Sequence, residues 1–99
     1  MTTIISSQRY IDNDILNEKI EKLEGERPAE IVLQAWDVKE HDCAVLFNGH
    51  HTLEAARQLE IPVRFEVVDH PENISGDNLL EQAWMDSDWY EVETGKLYF

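Results

Sequence analysis

The feature that most constrains this chain is one continuous run, "CAVLFNGHHTLEAARQLEIPVRFEVVD", Cys43 to Asp69. Its first five residues are apolar without a break, the pattern of an interior strand buried on both faces. Asn48 and Gly49 end that strand in a tight turn. "HHTLEAARQLE" follows, rich in helix formers, with Leu53, Ala56 and Leu59 on its buried side. In "IPVRFEVVD", Val63, Phe65 and Val67 then point inward and alternate with Arg64 and Glu66, as in a half-buried strand. A strand, a glycine, a helix and a strand in such quick succession require a sheet with a helix laid against it.

The flanks extend the same architecture. "TIISSQRYI" opens with a short strand, and Asp12 or Asn13 caps a helix carrying Ile15, Leu16, Ile20 and Leu23 at helical spacing. Gly25 stops that helix, with Pro28 close behind. "AEIVLQAWDV" is a strand with Ile31, Leu33 and Ala35 to one side, and "KEHD" is a turn. Beyond the "HPENISGD" loop, Asp77 caps a helix whose apolar stripe is Leu79, Leu80, Ala83 and Trp84. "WYEVETGKLYF" is a hairpin about Thr94-Gly95. With no repeat or linker, residues 1–99 make one small α+β domain: a mixed β-sheet, packed helices and a C-terminal hairpin.

Charge narrows the partners. Twenty-one acidic residues against eight basic ones give a formal net charge of −13. Such a field repels nucleic acid, which is bound through clustered Lys and Arg. The imbalance is steepest in an acidic C-terminal extension, from about residue 70 to 99, where Lys96 is the one basic residue. In the simplest account it is a solubilising surface; in the sharper one it is a face that docks on a basic protein partner, as an inhibitor or nucleic-acid mimic of phage or mobile-element origin would. Trp84, Trp89, Tyr90, Tyr98 and Phe99 lie among these acids, either completing a small core or anchoring that partner. The opening "MTTIISSQRYID" lacks the build of a secretory signal, and no apolar run reaches the roughly 18 residues of a membrane span. A single cysteine, Cys43, suits a reducing compartment and reads as a small buried hydrophobe. The expected location is cytoplasmic, away from any membrane.

Chemistry concentrates at "GHHT". A helix starting directly after a glycine presents free backbone N–H groups and the positive end of its dipole, a receptive place for an anion. Gly49 permits a positive φ, and Thr52 adds a hydroxyl in the first turn. His50 and His51 can donate to an oxyanion or act as acid and base near neutral pH. Adjacent helical residues point about 100° apart, so one of the two faces a ligand. Glu54, one turn on, is a candidate carboxylate, with stabilisation of the helix dipole as its plainer role. The residue set therefore reads as His50, His51 and Glu54 for any acid–base chemistry. The histidines lack the i, i+4 spacing of paired metal ligands, and no metal site is expected.

"NGHHTLEAARQLEIPVRFEVVD", with "IISSQRYIDNDILNEKIEKL" and "RPAEIVL" before it, resembles the ParB/sulfiredoxin-like superfamily over roughly Ile4 to Asp69. There a G-x-x-R element opens a helix, and a Q-R stretch precedes the first helix. The resemblance implies a nucleotide held by its phosphates, ATP or CTP with Mg²⁺, at Gly49, His50, His51 and Thr52, with Arg9 of "SQRY" near the phosphate end. Thr52 stands where the family carries arginine, whose bidentate phosphate contact threonine lacks. His50 stands where sulfiredoxins carry the catalytic cysteine, so sulfinic-acid repair is not expected, and no length is left for the helix-turn-helix of ParB proteins. Arg57 lies a turn beyond Thr52, points largely away from it, and reads as an ion-pair partner of Glu54 or Glu60. Two functions are thus expected as alternatives: a ParB-like domain binding a nucleotide or small phosphate ligand, or a non-catalytic acidic module.

Overall fold

A computed structural model describes residues 2–47 and 49–99, so the turn expected at Asn48 lies outside the described residues. Eight elements follow in order: β1 (Thr3–Ser6), α1 (Asn13–Glu26), β2 (Ile31–Val38), β3 (Cys43–Leu46), α2 (His50–Gln58), β4 (Val63–Val68), α3 (Gly76–Ala83) and β5 (Tyr90–Glu91). The sheet has five strands in the order β4-β2-β3-β1-β5. β1 runs parallel to β3 and β2 parallel to β4, while β2–β3 and β1–β5 are antiparallel. The chain is the mixed-sheet α+β domain that the sequence pattern predicts.

The unbroken apolar run of β3 follows from its central place, since all four of its residues are buried. Ala44 and Leu46 face Leu33, Ala35 and, from α2, Leu53. Cys43 and Val45 face the opposite layer with Ile5, Val38 and, from α3, Leu79. A third cluster, Leu16 and Leu23 of α1 with Ala55 of α2, joins the two helices on one side of the sheet. At roughly 1.5–3 kcal/mol for each fully buried large aliphatic side chain, these three clusters are the main favourable contribution to folding.

Several boundaries differ from expectation. α1 runs through Gly25 to Glu26 and ends on Arg27 in the left-handed region (φ 43°), whose N–H donates to the Leu23 carbonyl. Its start is as predicted, with the Asp12 carboxylate accepting from the Asp14 and Ile15 N–H groups. α3 is capped by Ser75 rather than Asp77: the Ser75 hydroxyl accepts from Asn78 N–H, and Asp77 lies in the first turn, 3.2 Å from His41. Val67 is exposed because β4 is an edge strand, and Trp84 is 55% exposed because α3 ends before it. The hairpin closes through Glu91 N–H to Lys96 O and Tyr98 N–H to Trp89 O, with Gly95 at φ 78°. Trp89, Tyr90 and Tyr98 complete the core, whereas Phe99 stays exposed. Cys43 is fully buried. Among the described residues no helix is long and apolar enough to cross a membrane.

Candidate functional site

α2 begins on Gly49, which has φ 103° and ψ 15° and lies so close to Leu33 that a Cβ would come within 2.8 Å of Leu33 Cδ2. The conformation favours glycine, and a Cβ would oblige the Leu33 side chain to shift. Leu53 N–H makes the first intrahelical bond, to the Gly49 carbonyl at 2.8 Å. The N–H groups of His50, His51 and Thr52 therefore have no acceptor within the helix, and no side chain caps them. The helix start borders a groove of about 310 Å³, closed by Gln8 from the segment after β1, by Ile15 and Lys19 from α1, and by Phe47. A second groove of about 410 Å³ shares Lys19, Phe47, Gly49 and Thr52 and runs on to Val32 and Gln34 of β2. Phe47 is held by stacking on Trp36, ring centroids 3.9 Å apart and nearly parallel, and His70 packs on the same indole at 4.4 Å.

The two histidines have different environments. His51 Nε2 accepts from the Asp12 N–H at 3.0 Å, which places the ring proton of the neutral form on Nδ1. That bond ties the start of α2 to the cap of α1. His50 is the reverse: both ring nitrogens are buried, and neither has a hydrogen-bond partner among the described residues. Burial, assisted by His51 and Arg57 and opposed by Glu54 and Asp86, pushes its pKa below the ordinary imidazole value, so the ring is neutral at neutral pH. An unsatisfied buried polar atom costs about 1–3 kcal/mol.

Arg9 does not join Gly49 and Thr52. Its backbone N–H donates to Asp86 Oδ1 at 2.8 Å, its guanidinium lies 4.1 Å over the Tyr90 ring, and it lines a separate cleft of about 340 Å³. Glu54 and Arg57 line that cleft too, and His50 borders both it and the α2 groove. Arg57 does not pair with Glu54 or Glu60; its Nη2 donates to the Val92 carbonyl. The site residues thus divide into Gly49, His51 and Thr52 on one side and Arg9 and Glu54 on the other, with His50 between them.

Sequence reasoning missed Lys19. Its spacing from Ile15 is legible as i, i+4, but which face of α1 meets the start of α2 is set by tertiary packing. Among the described residues no group of three His, Cys, Asp or Glu side chains is placed to hold a metal ion. No family model matches this chain, and no curated protein or solved structure matches it either.

Proposed function

We propose that the chain binds a phosphate-bearing small ligand, in the first instance a nucleotide, at the amino end of α2. The observation that carries this reading is the uncapped helix start at Gly49 opening on a groove that also contains Lys19. Phosphate oxygens would accept from the N–H groups of His50, His51 and Thr52 and from the Thr52 hydroxyl, in the favourable field of the helix dipole. Lys19 supplies the positive charge that Thr52 does not, as a point charge and not as a bidentate fork. The second groove, past Phe47 towards Gln34, gives the rest of a nucleotide room to lie. ATP or CTP with Mg²⁺ is the class that the family resemblance suggests. The protein offers no three-ligand cage for the metal among its described residues, so Mg²⁺ would enter on the phosphates. No catalytic step is assigned.

The test is thermal unfolding with ATP, CTP, GTP and inorganic phosphate, with and without Mg²⁺, on the wild type and Lys19→Glu. A ligand at a hundred times its Kd adds about 2.7 kcal/mol, and Lys19→Glu should abolish the gain. Equal responses in the two proteins, or none in the wild type, would refute the site.

A second reading, docking on a basic protein, is favoured by the adjacent exposure of Trp84 (55%) and Met85 (54%) beyond α3, beside Asp86 and Asp88. Of those acids, Asp86 is committed to the backbone of Arg9 and Tyr10. Asp88→Lys with Trp84→Ala is therefore the pair to try in pull-downs, and an unchanged set of partners would count against docking.

A further inference from the structure

The cleft on the far side of His50 takes no part in the phosphate site, yet it concentrates unusual chemistry. One face of α2 lines it with His50, Glu54 and Arg57, at i, i+4 and i+7. Arg9 and Ile11 also line it, and Val92, 2% exposed, lies at its floor. Both guanidiniums are already held. Arg9 stacks on Tyr90, whose hydroxyl donates to the Gln8 carbonyl at 2.6 Å, and Arg57 is tethered to the Val92 carbonyl. Neither is in a direct ion pair: those among the described residues are Arg64–Glu30 and His41–Asp77. His50 lines the same cleft, and among the described residues it alone has buried side-chain nitrogens without a partner. Two guanidiniums without a carboxylate partner and an unsatisfied imidazole, among the described residues, thus share one cleft in a chain with only eight basic residues.

We propose that this cleft is a binding site for a small organic monocarboxylate, its oxygens held by Arg9 and Arg57, its apolar portion against Ile11, and the buried His50 ring beside it. The guanidinium fork matches a carboxylate in plane and spacing. Glu54 and Glu93 also line the cleft and offset the two positive charges, so a polyanion gains no net attraction there while a single carboxylate can still pair locally. Prior fixing of both arginines lowers the ordering cost of binding. The site is independent of the proposed nucleotide groove, although His50 borders both.

The test is NMR on the full chain, following the His50 ring and the Arg9 Nε–H during titration with hexanoate and benzoate, with inorganic phosphate and ATP as comparators. The expected result is a saturable shift with the carboxylates and a rise in the His50 pKa on binding. Affinity should also increase as pH falls, since a protonated ring holds an anion better. That titration is read against the other charged groups facing the ring: His51, Glu54 and Arg57 on α2, Asp86 beyond α3, and Arg9 and Glu93 across the cleft. Arg9→Gln should weaken the carboxylates at least about tenfold, the loss of a charge-assisted hydrogen bond. Lys19→Ala should leave carboxylate binding intact while removing any nucleotide response, so failure of one site is distinguishable from failure of the other. No shift with any carboxylate, a shift that survives Arg9→Gln, or phosphate and ATP acting on Arg9 as strongly as the carboxylates would each overturn the assignment.

Discussion

Gly49→Ala is the substitution that most directly examines how the start of α2 is built. Two costs add. The first is conformational: at φ 103° an L-residue is in a region it rarely occupies, at about 1–2 kcal/mol. The second is steric. A Cβ would meet Leu33 Cδ2 at 2.8 Å, and Leu33 is itself a core residue, 8% exposed and packed with Ala35, Leu46 and Leu53. Moving that side chain off its rotamer costs on the order of 0.5–1.5 kcal/mol. The sum is roughly 1.5–3.5 kcal/mol, which for a domain this size lowers Tm by roughly 6–28 °C. Gly95→Ala is the internal control: it has φ 78°, with nothing within 4 Å of its would-be Cβ, so it carries the conformational cost alone. The assay is urea denaturation of both variants without ligand, followed by Gly49→Ala in a Leu33→Ala background. There the steric part should vanish and the two substitutions should couple by the Leu33 contribution. Gly49→Ala costing no more than Gly95→Ala, or two additive substitutions, would show that the Leu33 contact does not fix the helix start.

Four further outcomes are expected. Because the folded-state pKa of His50 is lowered, the unfolded chain binds more protons between that value and the ordinary 6.5, so stability is lost as pH falls through this window. Urea midpoints across it should show a slope that His50→Gln flattens. The Cys43 thiol is pushed above its ordinary value, chiefly by burial and also by Asp37 and Asp42, so a thiol reagent should label it only when the chain unfolds; native-state labelling would contradict the packing. Asp86→Ala removes the acceptor for the Arg9 and Tyr10 N–H groups, and should cost about 1–2 kcal/mol in denaturation and weaken carboxylate binding by loosening Arg9. Added salt screens the repulsive field of a −13 chain, so anion binding at α2 should hold or tighten from low to moderate ionic strength, opposite to a basic protein, when followed by calorimetry.

What the sequence made legible was whatever depends on periodicity along a single element. The apolar run from Cys43 has the pattern of the interior strand it forms, and Asp12 or Asn13 before Ile15 and Leu16 is the start of a helix that Asp12 caps. Caps were harder to place, because neighbouring residues compete for the role. Ser75 takes the cap of α3 from Asp77 since Gly76 must already lie in the helix, where its backbone presses on the turn between β2 and β3: a Cβ there would be 2.0 Å from Lys39 O. The end of α1 passed over Gly25 because Arg27, just before Pro28, adopts the left-handed conformation in its place.

The candidate site was legible in its centre and not in its walls. Gly49 and its positive φ follow from a glycine between a strand and a helix, and the division of labour between the histidines follows in part from the helical angle. What no local pattern carries is that α1 brings Lys19 to the start of α2, or that the C-terminal hairpin turns Val92 and Glu93 towards Arg9 and Arg57. Those contacts depend on β5 pairing with β1 and on α1 packing against α2, both set by the whole sheet. The consequence for function is specific. In a chain whose overall field opposes anions, Lys19 lines one groove beside α2 and Arg9 and Arg57 the other, and both grooves border a neutral imidazole that has no partner among the described residues. A solubilising surface alone would scatter its few cations, and pairing them with the abundant carboxylates would be easier still. That none of the three forms an ion pair among the described residues is the reason to look for acidic ligands on this otherwise acidic protein.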